Sequence, residues 1–297
     1  MVTLNAGDRI SLKRVLLATD FSVRSEIILS YASAIARRYR SKIYLAHVTP
    51  PDLFQSVPRE ILKAALKRTR EHVQREMSHL IRAGGLKKLR HQVLLEEGDI
   101  ASVLLRLVRE HAIDLLVIGT RGHRGVKRML LGSVAEKVYR QASCPVLIVP
   151  PRAGERVRIS RILYPTDFSQ SSLRAAPYAF SLANHHRARL ILLHVVQDTV
   201  VHSVADLNRQ RQFVQDRLKK SILGTAELEF KPELEVSFGE PAQRISKVAA
   251  EWQAGLVVLA VRRAKPTAAH LDEGTAHKVV RLAPCPVLTV RRPLVAG

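Results

Sequence analysis

The sequence has few cysteines and no long uncharged apolar run. It holds two cysteines, Cys144 and Cys285, in 297 residues, which excludes a disulfide framework and agrees with a reducing compartment. No stretch reaches the roughly 18 apolar residues that a membrane-spanning helix needs. Residues 1–10 lack the apolar core and cleavage site of a secretion signal. We therefore expect a cytoplasmic protein that does not insert into a membrane.

Acidic side chains are scarce beside basic ones, and the formal net charge is +22. The excess is spread along the chain: residues 1–150 carry 26 basic and 13 acidic side chains, and residues 151–297 carry 22 and 13. Because no tail or arm concentrates the charge, it does not by itself indicate a nucleic-acid-binding module. Binding of nucleic acid or another polyanion stays open as an alternative, and it predicts an affinity that falls steeply with added salt.

The chain contains an internal repeat with three matching segments. Residues 13–22 (KRVLLATDFS) return at 160–169 as SRILYPTDFS, and residues 42–48 (KIYLAHV) return at 189–195 as RLILLHV. Residues 144–149 (CPVLIV) return at 285–290 as CPVLTV. Residues 150–156 between the copies are rich in proline, glycine and charge, which is typical of a linker. The repeat predicts two domains, 1–150 and 151–297.

Each copy alternates short apolar runs with helical patterns. In the first copy the runs are 15–18, 43–48, 92–95, 115–119 and 146–149, and they lack clean alternation, as expected for strands buried on both faces of a parallel sheet. Helical spacing connects Ile27, Tyr31, Ala34 and Ile35, then Ile100, Val103, Leu104, Leu107 and Val108, and in the second copy Ala242, Ile245, Val248, Ala249 and Trp252. This alternation predicts doubly wound α/β domains. Pro177 predicts a kink in the first helix of the second copy.

Candidate binding residues follow the predicted strands, where ligands bind in such sheets. Asp20 follows the first strand, and Gly119 ends the fourth and opens the loop 119–133, GTRGHRGVKRMLLGS. Glycines let backbone N–H groups approach phosphate oxygens, and the helix that starts at Ser133 favours an anion at its N-terminus. The loop also carries four cations, Arg121, Arg124, Lys127 and Arg128. It lacks the Walker ending and the dinucleotide spacing.

The loop resembles the ATP-binding signature of the universal stress protein family, Gly-x2-Gly-x9-Gly-Ser/Thr. Gly119, Gly122, Gly132 and Ser133 match that signature in full. The strand ending in Thr-Asp-Phe-Ser, the His-Val strand and the Cys-Pro-Val-Leu strand are also typical of the family, and the resemblance covers nearly the whole chain twice. It implies two Rossmann-like domains of the adenine nucleotide alpha hydrolase-like type, arranged as a tandem pseudo-dimer. We expect five-stranded parallel sheets of order 3-2-1-4-5, with the last strands pairing across a pseudo-two-fold axis. Further homodimerisation stays open.

The resemblance also implies an adenine-nucleotide site in the first copy, with ATP as the ligand, alone or with Mg²⁺. Contacts with adenine and ribose are expected from Ala18, Thr19, Asp20 and Val48, and contacts with ribose and phosphates from Gly119, Gly122, Gly132, Ser133 and Val134. From the residues alone, two structural alternatives stay open. Asp20 could cap the first helix, a role that Ser22 could share, and Val48 could be a core residue.

The second copy keeps only the positions expected to contact adenine and ribose through the first two strands. Pro165, Thr166, Asp167 and Val195 stand where the first copy has Ala18, Thr19, Asp20 and Val48. Ala260 and Arg263 replace the first two glycines, Pro266 removes a backbone donor, and Asp272 and Glu273 precede Gly274. Carboxylates beside a triphosphate repel it, although Arg262, Arg263 and Lys265 offset some of that charge. The sequence therefore predicts one nucleotide per chain.

The expected function is that of an ATP-binding stress-response protein that acts as a sensor or binding module. No loop residue has to activate a water molecule, so we name no catalytic residue, and slow ATP hydrolysis is the enzyme alternative. His47 and His194 lie within apolar strands and are predicted core histidines, while His185 and His186 lie near a helix end. No residue set has metal-ligand spacing, so no metal site is expected. The cysteines are predicted to open buried strands, with a thiol switch or a disulfide between the two copies as the alternative.

Overall fold

The computed structural model describes residues 10–22, 24–51, 57–83, 85–120, 131–154, 157–197, 204–220, 231–261 and 274–291. Its residue contacts divide the chain into two compact units, with the division between Val146 and Leu147. The first unit, Leu12–Val146, holds the first copy of the repeat up to the start of its last strand, and the chain from Leu147 onwards holds the rest. The domain boundaries 1–150 and 151–297 stay a prediction, as does the pairing of the last strands across a two-fold axis.

The first unit alternates strands and helices along the chain. Its elements are β1 (Arg14–Ala18), α1 (Ser25–Tyr39), β2 (Lys42–Thr49), α2 (Arg59–Ala83), β3 (His91–Glu97), α3 (Ile100–Glu110), β4 (Leu115–Gly119) and α4 (Ser133–Gln141), and β5 (Val146–Val149) follows. The strand order within the unit is β3-β2-β1-β4. The pairs β1–β2, β1–β4 and β2–β3 are parallel. The α/β fold class and the predicted strand order are confirmed.

Apolar side chains explain why these strands form the centre of the unit. Val15, Leu16 and Leu17 of β1 are at most 1% exposed, and the first four residues of β4 are also buried. Leu17 lies opposite Val117 in the β1–β4 register. Because the two strands are parallel neighbours, the residues that follow them lie at the same edge of the sheet.

The second unit repeats this architecture. Its elements are β6 (Arg161–Pro165), α5 (Gln170–Leu173), α6 (Ala176–His186), β7 (Arg189–Val196), α7 (Val204–Leu218), β8 (Glu233–Phe238), α8 (Pro241–Glu251), β9 (Leu256–Ala260), α9 (Thr275–Leu282) and β10 (Val287–Val290). The order β8-β7-β6-β9-β10 is parallel throughout. Counted within the copy, this is again 3-2-1-4-5, as predicted.

Two predicted burial patterns are wrong in part. Val93 and Leu95 of β3 are 37% and 42% exposed, whereas Leu94 between them is buried, because β3 is the end strand of its sheet and keeps one face open. In α1 the predicted residues Ile27 and Ala34 are only half-buried. The buried face runs instead through Ile28, Leu29, Ala32, Ile35 and Ala36. Apolar residues surround much of α1, so spacing alone did not fix its inner face.

Pro177 has a stronger effect than the predicted kink. The segment that matches the single helix α1 is split into α5, which ends at Leu173, and α6, which begins at Ala176. Pro177 lies in the first turn of α6, where its missing N–H group is not needed and its fixed φ suits a helix start. The proline therefore begins a new helix.

Candidate functional site

The turn after β1 is held by a dense set of hydrogen bonds around Thr19. Its backbone N–H donates to the carbonyl of Ala46 in β2 at 2.9 Å. Its hydroxyl donates to Ser25 Oγ at 3.0 Å and accepts from the Phe21 N–H at 3.1 Å. Thr19 is 8% exposed. Its polar groups are thus engaged within the protein, and the residue fixes the shape of the turn that carries Asp20.

His47 supports the same turn from the neighbouring strand. Its Nδ1 lies 2.9 Å from the Thr19 carbonyl oxygen, and because a carbonyl oxygen only accepts, Nδ1 carries the proton. Its ring stacks on Phe21 with centroids 4.4 Å apart, and Phe21 has a φ of 57°, which is uncommon outside glycine. Burial lowers the pKa of His47, so the neutral ring is the form favoured in the fold. His47 is hydrogen-bonded as expected of a core histidine, but it is half-buried and not fully in the core.

Asp20 presents one satisfied and one unsatisfied carboxylate oxygen. Its Oδ1 accepts from the Ser22 N–H at 3.0 Å and lies 3.4 Å from Ser25 Oγ. Its Oδ2 is buried and has no hydrogen-bond partner among the described residues. The N-cap residue of α1 is Arg24, so neither Asp20 nor Ser22 caps this helix. A buried carboxylate oxygen without a donor is costly, which marks Asp20 as a position where an outside donor would be stabilising.

A second unsatisfied oxygen follows β4. Thr120 comes directly after Gly119 and is 6% exposed, and its Oγ1 is buried without a partner in the described part of the chain. Its carbonyl accepts from the Gly132 N–H at 2.8 Å, which ties the end of β4 to the start of α4. Thr120 is not among the site residues predicted from the sequence. The available signal was its place between the first two signature glycines.

No side chain among the described residues caps the N-terminus of α4. Gly132 is its N-cap residue with extended backbone angles, and no side-chain hydrogen bond caps the helix there. In α3, by contrast, the Asp99 carboxylate accepts from the Ser102 N–H at 3.0 Å. Lys137 of α4 also reaches Asp99 Oδ1 at 2.8 Å, which holds the two helices together. The first N–H groups of α4 can therefore receive an anion.

The remaining predicted residues lie on the same elements. Val48 in β2 is 6% exposed, and Ala18 ends β1 opposite Ala46. Ser133 is exposed and Val134 half-buried in the first turn of α4. The structure thus brings the ends of β1, β2 and β4 and the start of α4 to one edge of the first unit. Gly122 and the cations Arg121, Arg124, Lys127 and Arg128 lie outside the described residues.

The second unit keeps the turn but changes its surroundings. The Thr166 N–H donates to Leu193 O at 2.9 Å, His194 Nδ1 lies 2.8 Å from Thr166 O, and Phe168 has a φ of 61°. Here Asp167 is exposed, whereas its counterpart Asp20 is half-buried. The guanidinium of Arg217 lies 4.5 Å from the Phe168 ring centroid. The altered loop residues Arg262, Arg263, Lys265, Pro266, Asp272 and Glu273 lie outside the described residues.

The described residues hold neither a metal-binding cluster nor a membrane-spanning helix. No group of His, Cys, Asp and Glu in those ranges is arranged to hold a metal ion. None of the helices described is long and apolar enough to cross a bilayer. His185 lies in the last turn of α6, as predicted, with its Nδ1 2.8 Å from the Ser181 carbonyl oxygen. The edge formed by β1, β4 and α4 is therefore the principal candidate site.

Comparison with known proteins shows the family of the chain. The family model of the universal stress protein family matches residues 11–150 and 158–291. A universal stress protein of Methanocaldococcus jannaschii is 31% identical over 141 residues, covering 46% of this chain and 81% of the relative. Another from Thermus aquaticus is 31% identical over 137 residues, covering 46% and 98%. The crystal structure of a universal stress protein from Archaeoglobus fulgidus shares the fold with a TM-score of 0.68, at 22% identity, covering 94% of this chain and 98% of that one. The chain belongs to the universal stress protein family, with two copies of its domain.

Proposed function

We propose that the first unit binds an adenine nucleotide, with ATP as the expected ligand, and that the chain works in the cytoplasm as a nucleotide-dependent binding module of the stress response. The observation that carries the proposal is the buried Oδ2 of Asp20, which has no hydrogen-bond partner in the described part of the chain. Ribose hydroxyls are hydrogen-bond donors that suit a carboxylate oxygen, and hydrogen bonds to charged groups are among the strongest in proteins. Asp20 would thus hold the ribose, with Ala18, Thr19 and Val48 lining the adenine side.

The uncapped start of α4 supports the phosphate half of the proposal. Gly132 offers no side-chain oxygen, so the N–H groups of Ser133 and Val134 stay available to phosphate oxygens. The end of β1 and the start of α4 are connected through β4. The strands β1 and β4 are neighbours in the sheet, and the Thr120 carbonyl after β4 is hydrogen-bonded to the Gly132 N–H at the start of α4. Mg²⁺ would neutralise part of the triphosphate charge, and the described residues supply no dedicated cluster for it.

We further propose one nucleotide per chain. In the second unit Asp167 is exposed, so a hydrogen bond to it would compete with water and contribute less. Residues Ala260 and Val261 stand where the first unit has Gly119 and Thr120. The second unit therefore has a Cβ where the first unit has a glycine, and it has no hydroxyl at the position of Thr120.

A matched pair of glycine substitutions tests the proposal. Gly132 and Gly274 are the N-cap residues of α4 and α9, both have extended backbone angles, and a Cβ at Gly274 meets nothing within 4 Å. An aspartate at either place would cap its helix and complement the helix dipole. In the first unit that carboxylate would also take the phosphate position. Two like charges about 4 Å apart repel by roughly 1 to 4 kcal/mol between water and a partly screened surface.

Calorimetric titration with ATP then gives the result. We expect Gly132→Asp to weaken ATP binding at least about tenfold while leaving the melting temperature unchanged or higher. Gly274→Asp should bind ATP as the unchanged protein does. Equal affinity in both variants and the unchanged protein, or equal loss in both variants, would overturn the proposal. Phosphate release measured on the same samples separates a binding module from the slow-ATPase alternative, which requires turnover above background.

A further inference from the structure

The Thr120 hydroxyl is a second buried polar group that no described residue satisfies. Thr120 is 6% exposed, and Oγ1 has no hydrogen-bond partner in the described ranges. Most buried hydroxyls in native proteins are hydrogen-bonded, because leaving one unpaired costs free energy. A valine would fill the same volume without that cost. The hydroxyl is therefore a feature that packing alone does not explain.

The connectivity of the first unit places Thr120 next to both halves of the candidate site. Leu17 and Val117 are partners in the β1–β4 register, and Asp20 and Thr120 each follow three residues later, just beyond the ends of the two strands. On the other side, the Thr120 carbonyl accepts from the Gly132 N–H at the start of α4. Asp20 Oδ2 and Thr120 Oγ1 are both buried, and neither serves as the other's partner. A single ligand lying between them would satisfy both.

The second unit provides a natural comparison. Val261 occupies the position of Thr120 directly after β9, and its N–H donates to the Val290 carbonyl at 2.9 Å. Valine and threonine have nearly the same shape, so the exchange removes the hydroxyl and little else. The backbone at the end of the fourth strand thus tolerates valine within this fold.

We propose that the Thr120 hydroxyl hydrogen-bonds the part of the nucleotide that joins the ribose to the first phosphate. This inference rests on the proposed nucleotide binding of the first unit. Asp20 would hold the ribose on one side of Thr120, and the start of α4 would hold the phosphate chain on the other. Because AMP and ATP share the ribose and the first phosphate, Thr120 contributes equally to the affinity for both.

The experiment compares AMP and ATP titrations of the unchanged protein with Thr120→Val, Thr120→Ser and Val261→Thr. Loss of one hydrogen bond predicts that Thr120→Val weakens both nucleotides by the same factor, about five- to tenfold. Thr120→Ser keeps the hydroxyl and should stay within about twofold of the unchanged protein, and Val261→Thr should have no effect. Without nucleotide, Thr120→Val should melt at the same or a higher temperature, because it removes an unpaired buried hydroxyl.

Two results with Thr120→Val would overturn the inference. One is unchanged affinity of Thr120→Val for both nucleotides, and another is a loss confined to ATP, which would place the hydroxyl at the outer phosphates. If Thr120→Val does not fold, Thr120→Ala takes its place with the same expected losses. If the unchanged protein binds neither AMP nor ATP, the proposed function and this inference fail together, whereas normal binding by the unchanged protein and by Thr120→Val removes only the inference.

Discussion

Replacing Asp20 by asparagine separates its structural role from its binding role. An asparagine keeps the Oδ1 that accepts from the Ser22 N–H and exchanges the partnerless Oδ2 for an NH₂ group. The turn should therefore survive. A hydrogen bond to a charged group contributes about 1.5 to 3 kcal/mol, so losing the one expected from ribose should weaken ATP binding roughly 10- to 100-fold.

Although Asp20→Asn should weaken ATP binding, it should leave the stability of the nucleotide-free protein unchanged or raise it. Asp20→Asn removes an unpaired charged oxygen, so its free energy of unfolding without nucleotide should equal or exceed that of the unchanged protein. Asp20→Ala also loses the hydrogen bonds of Oδ1 and should be destabilised by about 1 to 3 kcal/mol. The matched variant Asp167→Asn, in the exposed position of the second unit, should change neither quantity.

Urea unfolding and titration with a fluorescent ATP analogue measure both effects on the same samples. The reasoning is refuted if Asp20→Asn binds the analogue as tightly as the unchanged protein. It is also refuted if Asp167→Asn loses binding to the same extent.

Three further predictions follow from the pKa values. Burial lowers the pKa of His47 and His194 below the ordinary value of 6.5, so their contribution to stability is complete above that value and is lost as the pH falls through the folded pKa. His47→Phe should therefore reduce the drop in melting temperature between about pH 7.5 and 5.5, and an undiminished drop would contradict this. Burial raises the pKa of Cys144 and Cys285 to about 12, so both thiols should react with a disulfide reagent at neutral pH only after unfolding, and reaction in the native state would revive the thiol switch. Hydrogen bonds from Lys137 and Ser102 lower the pKa of Asp99 to about 2; Asp99→Ala should cost about 1 kcal/mol of helix capping near pH 7, and the difference from the unchanged protein in urea unfolding should shrink as the pH falls from about 4 to 2.

Much of the fold could be predicted because buried parallel strands are continuous apolar runs. The bounds of β5 coincide with the predicted segment 146–149, and those of β4 coincide with 115–119. The prediction was weaker where burial depends on the rest of the fold. Whether Val93 is covered depends on β3 being an end strand, and this order is not written in the local sequence.

The candidate site also has features that the local sequence predicts and features that depend on the fold. The uncapped glycine at 132 and the acidic residue after β1 are local features, and the sequence identified both. The turn at Thr19 is supported by a hydrogen bond from His47, which lies 28 residues further along the chain. Local spacing in the sequence cannot show such a contact. The missing partner of Thr120 is likewise a property of the folded neighbourhood, since a threonine after a strand has many ordinary roles.

The central claim is tested most directly by calorimetric titration of the whole chain with ATP after removal of any nucleotide that co-purifies. The account predicts saturable binding with a stoichiometry near one per chain. An absence of binding at millimolar ATP, or two equivalent sites per chain, would contradict it.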